Sequence, residues 1–260
     1  MEKKVALITG ASSGIGKELA KIHAEKGGDL VIVARSKNKL ESLKSEIEKQ
    51  FKVEVKIIIK DLSKFDAPQE IYDELKKANI KIDYLINNAG FGFLGKFHEI
   101  DLQKQINMIN LNMTSLTAIS HLFLNDFVKR NSGKILNVSS TASFMPGPLQ
   151  AVYYATKTYV QFLSNALSEE LRDTNITVTN LMPGATATGF GATSGMDKTS
   201  MFQKTASAYD VALDGYTGML KGKMDVISGV PPLLRIMLAL IPFMPKNIML
   251  KQVHQMQEVK

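Results

Sequence analysis

The sequence predicts an α/β protein: a doubly wound, mainly parallel sheet of about seven strands with helices on both faces. Two observations carry that expectation. Runs of five to seven residues rich in Val and Ile recur along the chain, short enough for strands buried on both faces. Between them apolar residues return every three or four positions among Lys and Glu, as on helices with one face turned inward. Strand and helix in alternation imply right-handed crossovers and a parallel sheet.

Taken in order, the first strand is expected at Val5 to Thr9, followed by a helix from about Gly16 to Glu25. Leu30 to Ala34 and Val53 to Ile59 are the next two strands, each leading into a helical pattern, Lys37 to Gln50 and Pro68 to Lys77. Ile82 to Asn87, Lys134 to Val138 and Ile176 to Leu181 follow as strands. The helices between them, about Leu102 to Arg130 and Tyr153 to Arg172, exceed what packing on a sheet requires and are expected to reach a subunit interface. After Pro183 the glycine- and hydroxyl-rich stretch 184–205 reads as a mobile lid. A helix at Ala206 to Lys221, a short strand near Val226 and an apolar segment, 231–256, complete the chain. No repeat or second core is visible, so residues 1–260 read as a single unit.

Composition narrows the function. Hydrophobic residues at 45% and charged residues at 22% suit a globular chain. The net charge of +7 is spread along helix faces without a basic stripe, and Trp is absent, so nucleic acid is not expected as a partner. With no cysteine, and with His23, His98, His121 and His254 lacking ligand spacing, no metal is expected. Met1 to Val5 lacks the apolar core of a signal peptide, which points to the cytoplasm. Leu233 to Met244 is broken by Arg235 and Pro242 and falls short of the roughly 20 residues that span a bilayer. A membrane is therefore not expected as a partner; the tail reads as a substrate cap or dimer contact ahead of an amphipathic surface helix.

Directly after the first strand stands Thr9-Gly10-Ala11-Ser12-Ser13-Gly14-Ile15-Gly16, opening a helix. Glycines there permit positive φ and close backbone approach, and the free N–H groups of a helix start stabilise a pyrophosphate. The expected ligand is a dinucleotide, bound through Gly10, Ser12, Ser13, Gly14, Ile15 and Gly16. At the end of the second strand, Val33-Ala34-Arg35-Ser36 offers no carboxylate to a ribose 2′-hydroxyl. Arg35, helped by Lys39, is instead suited to a 2′-phosphate, which favours NADP(H) over NAD(H). Asp61, after the third strand, either accepts from the adenine amino group or caps its own loop.

Tyr153 and Lys157 lie four residues apart, on one face of a helix. An ammonium beside a phenol lowers its pKa from about 10, so Lys157 is expected to tune Tyr153. Tyr154 and Tyr159 have no lysine at that offset and read as packed phenols with satisfied hydroxyls. Three further segments, Asn87-Asn88-Ala89-Gly90, Ser139-Ser140 and Met182-Pro183-Gly184, fall at carboxyl ends of expected strands, where open α/β sheets bind ligands.

In this order the glycine turn, Asn-Asn-Ala-Gly, serine, Tyr-x-x-x-Lys and Pro-Gly resemble the short-chain dehydrogenase/reductase family over most of the chain. The Gly-x-x-x-Gly-x-Gly turn is similar to that of its compact members. Ala151 to Lys157 and Pro183 to Phe190 resemble a bacterial branch similar to 3-oxoacyl reductases. The resemblance implies a Rossmann-type domain with Tyr153 as acid/base, Lys157 holding the nicotinamide ribose, and Ser140 orienting the substrate carbonyl. It implies that Asn112, with Asn110 as rival, holds a water of a proton relay. Asn88, Ala89 and Gly90 would flank the cofactor, Asp61 and Leu62 border adenine, and Pro183, Gly184 and Thr188 lie near the carboxamide. It further implies a homodimer or homotetramer. The activity expected is NADP(H)-dependent reduction of a ketone or aldehyde, such as a 3-oxoacyl compound, with a non-catalytic NADP(H) sensor as the alternative. Phe91, Phe93, Leu94, Phe144, Met145, Pro146 and Phe190 suggest an apolar substrate pocket.

Overall fold

Why the Val- and Ile-rich runs become strands is visible in their burial: Ala6, Leu7 and Ile8, successive residues pointing to opposite faces, are all fully covered. In a computed structural model describing residues 3–259, seven strands form one sheet. They are β1 (Val5–Thr9), β2 (Asp29–Ala34), β3 (Val55–Ile59), β4 (Tyr84–Asn87), β5 (Gly133–Val138), β6 (Ile176–Pro183) and β7 (Asp225–Ser228). Their order is β3-β2-β1-β4-β5-β6-β7 and every pairing is parallel. Met1 and Glu2, part of the stretch read above for a leader, and Lys260 lie outside the described residues.

Helices cover both faces. On one side α1 (Gly14–Glu25), α2 (Lys37–Phe51) and α8 (Ala208–Leu220) bury Leu19, Leu40, Ile47 and Tyr216 against the sheet. On the other, α3 (Ala67–Lys77), α5 (Leu116–Arg130) and α6 (Ala151–Glu170) frame a second layer with Ile71, Phe123, Phe127 and Leu171. The strand order reverses at β1, so a crevice opens above the carboxyl ends of β1 and β4.

Most element ends lie within one or two residues of the sequence reading, and two segments, 102–130 and 184–205, differ in kind. The expected helix 102–130 is α4 (Leu102–Ile109), a π-helical segment at Asn110–Ser115, and then α5. Helix α6 begins at Ala151, two residues ahead of Tyr153. Stretch 184–205, expected as a mobile loop, contains the short helix α7 (Phe190–Ser194) and two 3₁₀ turns. Its hydroxyls bond nearby carbonyls, Ser194 to Phe190 at 2.7 Å and Thr199 to Met196 at 2.7 Å, and a Thr186–Ala206 bridge closes its base. The tail folds as α9 (Pro232–Leu240) and α10 (Lys246–Gln257).

Under the crevice runs a polar row that the apolar strand pattern conceals. Asn87, Asn137 and Asn180 occupy paired register positions on β4, β5 and β6, and Asp225 continues the row on β7. Asn87 donates to Asn137 and to Ser120, both at 2.9 Å, Asn137 donates to Ser164 at 2.9 Å, and Asn180 donates to Asp225 at 2.9 Å. Because buried amides must be paired, a one-residue slip of any strand would orphan them, so the row locks register at the ends that carry the site.

A buried histidine adds a pH-sensitive joint. His23, 1% exposed, places Nε2 at 3.0 Å and 3.1 Å from the carbonyls of Lys4 and Asp29, so Nε2 carries the hydrogen and Nδ1 accepts from the Tyr216 hydroxyl at 2.8 Å. Burial holds its pKa below the ordinary 6.5, against the raising influence of those carbonyls and of Asp29 and Asp83. Below 6.5 the unfolded chain therefore takes the proton first, so the stability His23 contributes is complete above that pH and is lost as the pH falls toward the folded-state value. Urea unfolding at neutral and mildly acidic pH is expected to show a falling midpoint in the parent and a flatter one in His23→Gln. Parallel losses in the two proteins would place the acid sensitivity elsewhere.

Candidate active site

The glycine turn is shaped by contacts that leave no room for side chains. Gly10 and Gly14 have φ of +68° and +55°. A Cβ on Gly10 would stand 2.8 Å from Ala89 Cα, and one on Gly16 would stand 2.5 Å from the Gly10 carbonyl oxygen. Gly16 is thus a packing glycine behind the turn, whereas Gly10, Ser12, Ser13, Gly14 and Ile15 line a cleft of about 550 Å³. The turn is fastened to β4 through Thr9, whose hydroxyl accepts the Asn88 and Ala89 N–H groups at 3.0 Å and 3.1 Å. Asn88 in return donates its side-chain amide to the carbonyls of Thr9 and Gly10, at 3.0 Å and 3.2 Å. The sequence reading gives Thr9 no role; the available signal is a Thr that ends a strand beside a glycine.

At one end of the cleft Arg35 and Lys39 are exposed beside Ser36 and Lys60. Lys60 is paired with Glu70 at 2.8 Å, while among the described residues no ion pair holds Arg35 or Lys39. Asp61 and Leu62 border the same end. Asp61 accepts the Ser63 N–H at 3.0 Å and its hydroxyl at 2.8 Å, so of the two roles left open for it, the loop cap is the one formed within the protein. Burial alone would raise its pKa; the two Ser63 hydrogen bonds, with Arg35 and Lys64, outweigh that and hold it low.

At the other end Ser140, Tyr153 and Lys157 meet, with Gly90, Pro183, Gly184 and Thr188 around them. Ser140 follows β5 and caps a 3₁₀ turn, its hydroxyl accepting the Ala142 N–H at 3.1 Å, which fixes the oxygen in the cleft. Ser139 instead bonds Asn180 and the Leu181 carbonyl in the interior. Lys157 is 6% exposed, and among the described residues its ammonium has a single hydrogen bond, to the Val138 carbonyl at 2.9 Å. It lies 5.8 Å from the Tyr153 ring centre. A Cβ on Gly90 would stand 3.3 Å from Lys157 Nζ and 3.2 Å from Asn112 Oδ1, so glycine lets both polar atoms close in. Thr188 packs over Gly14 and bridges the two ends.

Asn112 does not line the cleft. It stands behind it in the π-helical segment, accepting the Phe91 N–H at 3.2 Å and donating to the Phe91 carbonyl and Thr156 hydroxyl, both at 3.0 Å. π turns commonly mark functional positions. Tyr154 and Tyr159 have the satisfied hydroxyls expected of packed phenols, with Gln257 at 2.9 Å and Thr117 at 2.8 Å. Of the apolar set read from the sequence, Phe91 and Phe190 line the cleft, and Phe93 and Met145 pack behind them. Met196, Met201 and Phe202 join the lining from the folded 184–205 stretch.

Electrostatics correct one expectation. Burial pushes the Tyr153 phenol up to about 12, with the Ser140 hydroxyl pulling the other way, and brings the Lys157 ammonium down to about 8. The protein's own groups thus keep Tyr153 protonated instead of lowering it as the Lys157 spacing suggested, because removing both groups from water disfavours each charged form. The result is a neutral acid beside a serine hydroxyl and an under-bonded cation, suited to protonating an oxygen that gains negative charge.

Comparisons with known proteins agree with this geometry. The family model described as short chain dehydrogenase matches residues 4–199. The very-long-chain 3-oxoacyl-CoA reductase of Homo sapiens is 38% identical over 189 residues, covering 70% of this chain and 59% of that protein. The match to this relative therefore spans less than two thirds of its length. The protein of the same name from Anas platyrhynchos is 36% identical over 220 residues, 82% of this chain and 69% of its own. Among solved structures, a short-chain dehydrogenase from Sphingobium yanoikuyae in complex with NADPH superposes with a TM-score of 0.82 at 31% identity, covering 90% of each chain.

Adding a single methyl tests the turn: Gly16→Ala is expected to cost about 1–3 kcal/mol through overpacking against Gly10 and Asn88. It should also weaken dinucleotide binding, with both effects read by thermal melts with and without nucleotide. An unchanged melt would mean the turn has slack that the contacts deny.

Proposed function

The chain belongs to the short chain dehydrogenase family, and on that premise we propose that it reduces a ketone or aldehyde with NADP(H), on an apolar substrate such as a 3-oxoacyl compound. The observation that carries this reading is the buried Lys157 ammonium: two of its three donors have no partner among the described residues, and it faces the cleft that Tyr153, Ser140 and the glycine turn share. A buried cation left so exposed to desolvation is expected to serve a ligand, and vicinal ribose hydroxyls suit it. The names of the two relatives support the substrate class, and the lining by Phe91, Phe190, Met196, Met201 and Phe202 supports an apolar one.

In this reading the N–H groups of the turn from Gly10 to Gly16 at the start of α1 would hold the dinucleotide pyrophosphate, and Arg35 with Lys39 would pair a 2′-phosphate. Asp61 and Leu62 border the adenine, Asn88 to Gly90 flank the nucleoside, and Pro183, Gly184 and Thr188 lie near the carboxamide. When bound, NADPH supplies the hydride. The Ser140 hydroxyl donates a hydrogen bond to the substrate oxygen, and the Tyr153 hydroxyl donates a hydrogen bond and then its proton. Lys157 holds the ribose and stabilises the phenolate left behind. Asn112, fixed by Phe91 and Thr156, holds the water through which Tyr153 is reprotonated. We extend the proposal to a homodimer or homotetramer, supported by the exposed Leu102 on α4, Val128 on α5 and Phe162 on α6.

Tyr153→Phe is expected to lower NADPH-dependent ketone reduction by about 100- to 10,000-fold while leaving NADPH affinity nearly unchanged. Undiminished turnover would remove the phenol from its role, and NADPH binding without turnover of any ketone by the parent would favour a sensor. For coenzyme choice, Arg35→Glu is expected to reduce kcat/KM for NADPH by about 10- to 100-fold, the worth of a charge-assisted hydrogen bond, with little effect on NADH. Equal losses with both coenzymes would mean Arg35 serves the fold alone.

A further inference from the structure

Helix α9 is folded almost wholly in water. Of its nine residues only Leu238 is buried, and Leu233, Ile236, Met237 and Leu240 are between 51% and 69% exposed. Phe243, in the 3₁₀ turn that follows, is 84% exposed. The helix therefore does not cap the cleft, which was one of the two readings its sequence favoured. That contact is made by α10, where Met249 and Val253 pack in the cluster around Tyr153 and Tyr154, and Gln257 donates to the Tyr154 hydroxyl at 2.9 Å. An apolar face of this size in a water-soluble surface marks a surface that another phase or molecule covers.

Charge decides between the candidates. No Asp or Glu stands between Asp225 and Glu258, while Arg235 on α9 and Lys246 and Lys251 on α10 are all exposed. Glu258, the acid that ends this stretch, lies 3.5 Å from His254 Nε2 at the last turn of α10, outside α9. A second copy meeting this face across a two-fold axis would bring two sets of these cations together, and segment 226–257 supplies no acid to pair them. An anionic bilayer surface relieves both features at once, taking the apolar side chains among its acyl chains and the cations among its headgroups. We propose that α9 and the turn after it form a docking surface for anionic lipid, on which the protein sits without spanning it; no helix among the described residues is long and apolar enough to cross. It departs from the expectation that a membrane is not a partner, and it stands on the exposed face and its charges, independent of the reaction.

The test is co-sedimentation of the full chain with vesicles of phosphatidylcholine alone and of equal phosphatidylcholine and phosphatidylglycerol. Binding is expected to be at least about tenfold tighter to the anionic vesicles and to weaken with salt. It should be lost when Leu233, Ile236 and Met237 are changed together to Ser, and reduced at least about tenfold by Arg235→Glu with Lys246→Glu and Lys251→Glu. Both variants should retain the parent's thermal melt, and the charge variant keeps the question open to decision if the serine variant does not fold. Absence of binding by the parent, or binding that both folded variants retain, overturns the proposal. So does a concentration-dependent dimer that the serine variant abolishes, which would assign the face to a second copy.

Discussion

One buried ammonium organises this site. Lys157 is drawn from α6 to the carbonyl that ends β5, and that bond fixes how the helix lies across the sheet. Tyr153, one turn earlier on the same face, is thereby set beside Ser140, which leaves the same strand two residues after Val138. Gly90 is small because Lys157 and Asn112 approach it from either side, and the asparagine row beneath keeps the strand ends level. Taking a cation out of water is costly unless it is paired. One carbonyl meets part of that demand, and the rest is directed into the cleft.

The same low-polarity surroundings act on both titrating groups. Burial drives the phenol toward its neutral acid form, further from losing its proton, and the ammonium toward its neutral base form, nearer to losing one, while the low polarity strengthens the effect on both of a charge that arrives nearby. The cleft is built as a poised environment whose final electrostatics belong to the protein together with what it binds.

Much of this was legible in the residues. The alternation of apolar runs and amphipathic patterns located all seven strands to within a few residues, most clearly β1, β2, β5 and β6, whose residues are buried on both faces. The glycine turn and the Tyr153–Lys157 pair were readable from local spacing, Ser140 came with the family resemblance, and the sheet brings all of them to one cleft. What stayed hidden was non-local. Thr9 fastens the turn to β4 through hydrogen bonds to residues 79 and 80 positions away, and the Asn87–Asn137–Asn180 row exists only once the register is known. The direction of the Tyr153 shift was misjudged for a related reason: spacing reports a neighbour, while burial depends on everything folded around it.

The π-helical segment at Asn110–Ser115 sets a phase for the chain around it. An α-helix advances about 100° per residue, and a π turn is equivalent to one residue added to it. Leu102 to Ile109 and Leu116 to Arg130 therefore cannot be treated as one rigid rod whose length is free to change: removing one residue would regularise the hydrogen bonding yet swing one half against the other by most of a right angle or more. Either Phe123 and Phe127 would leave the sheet or Met108 would leave its cluster. In this stretch the reading frame of the helix, rather than any single side chain, is what the fold conserves mechanically.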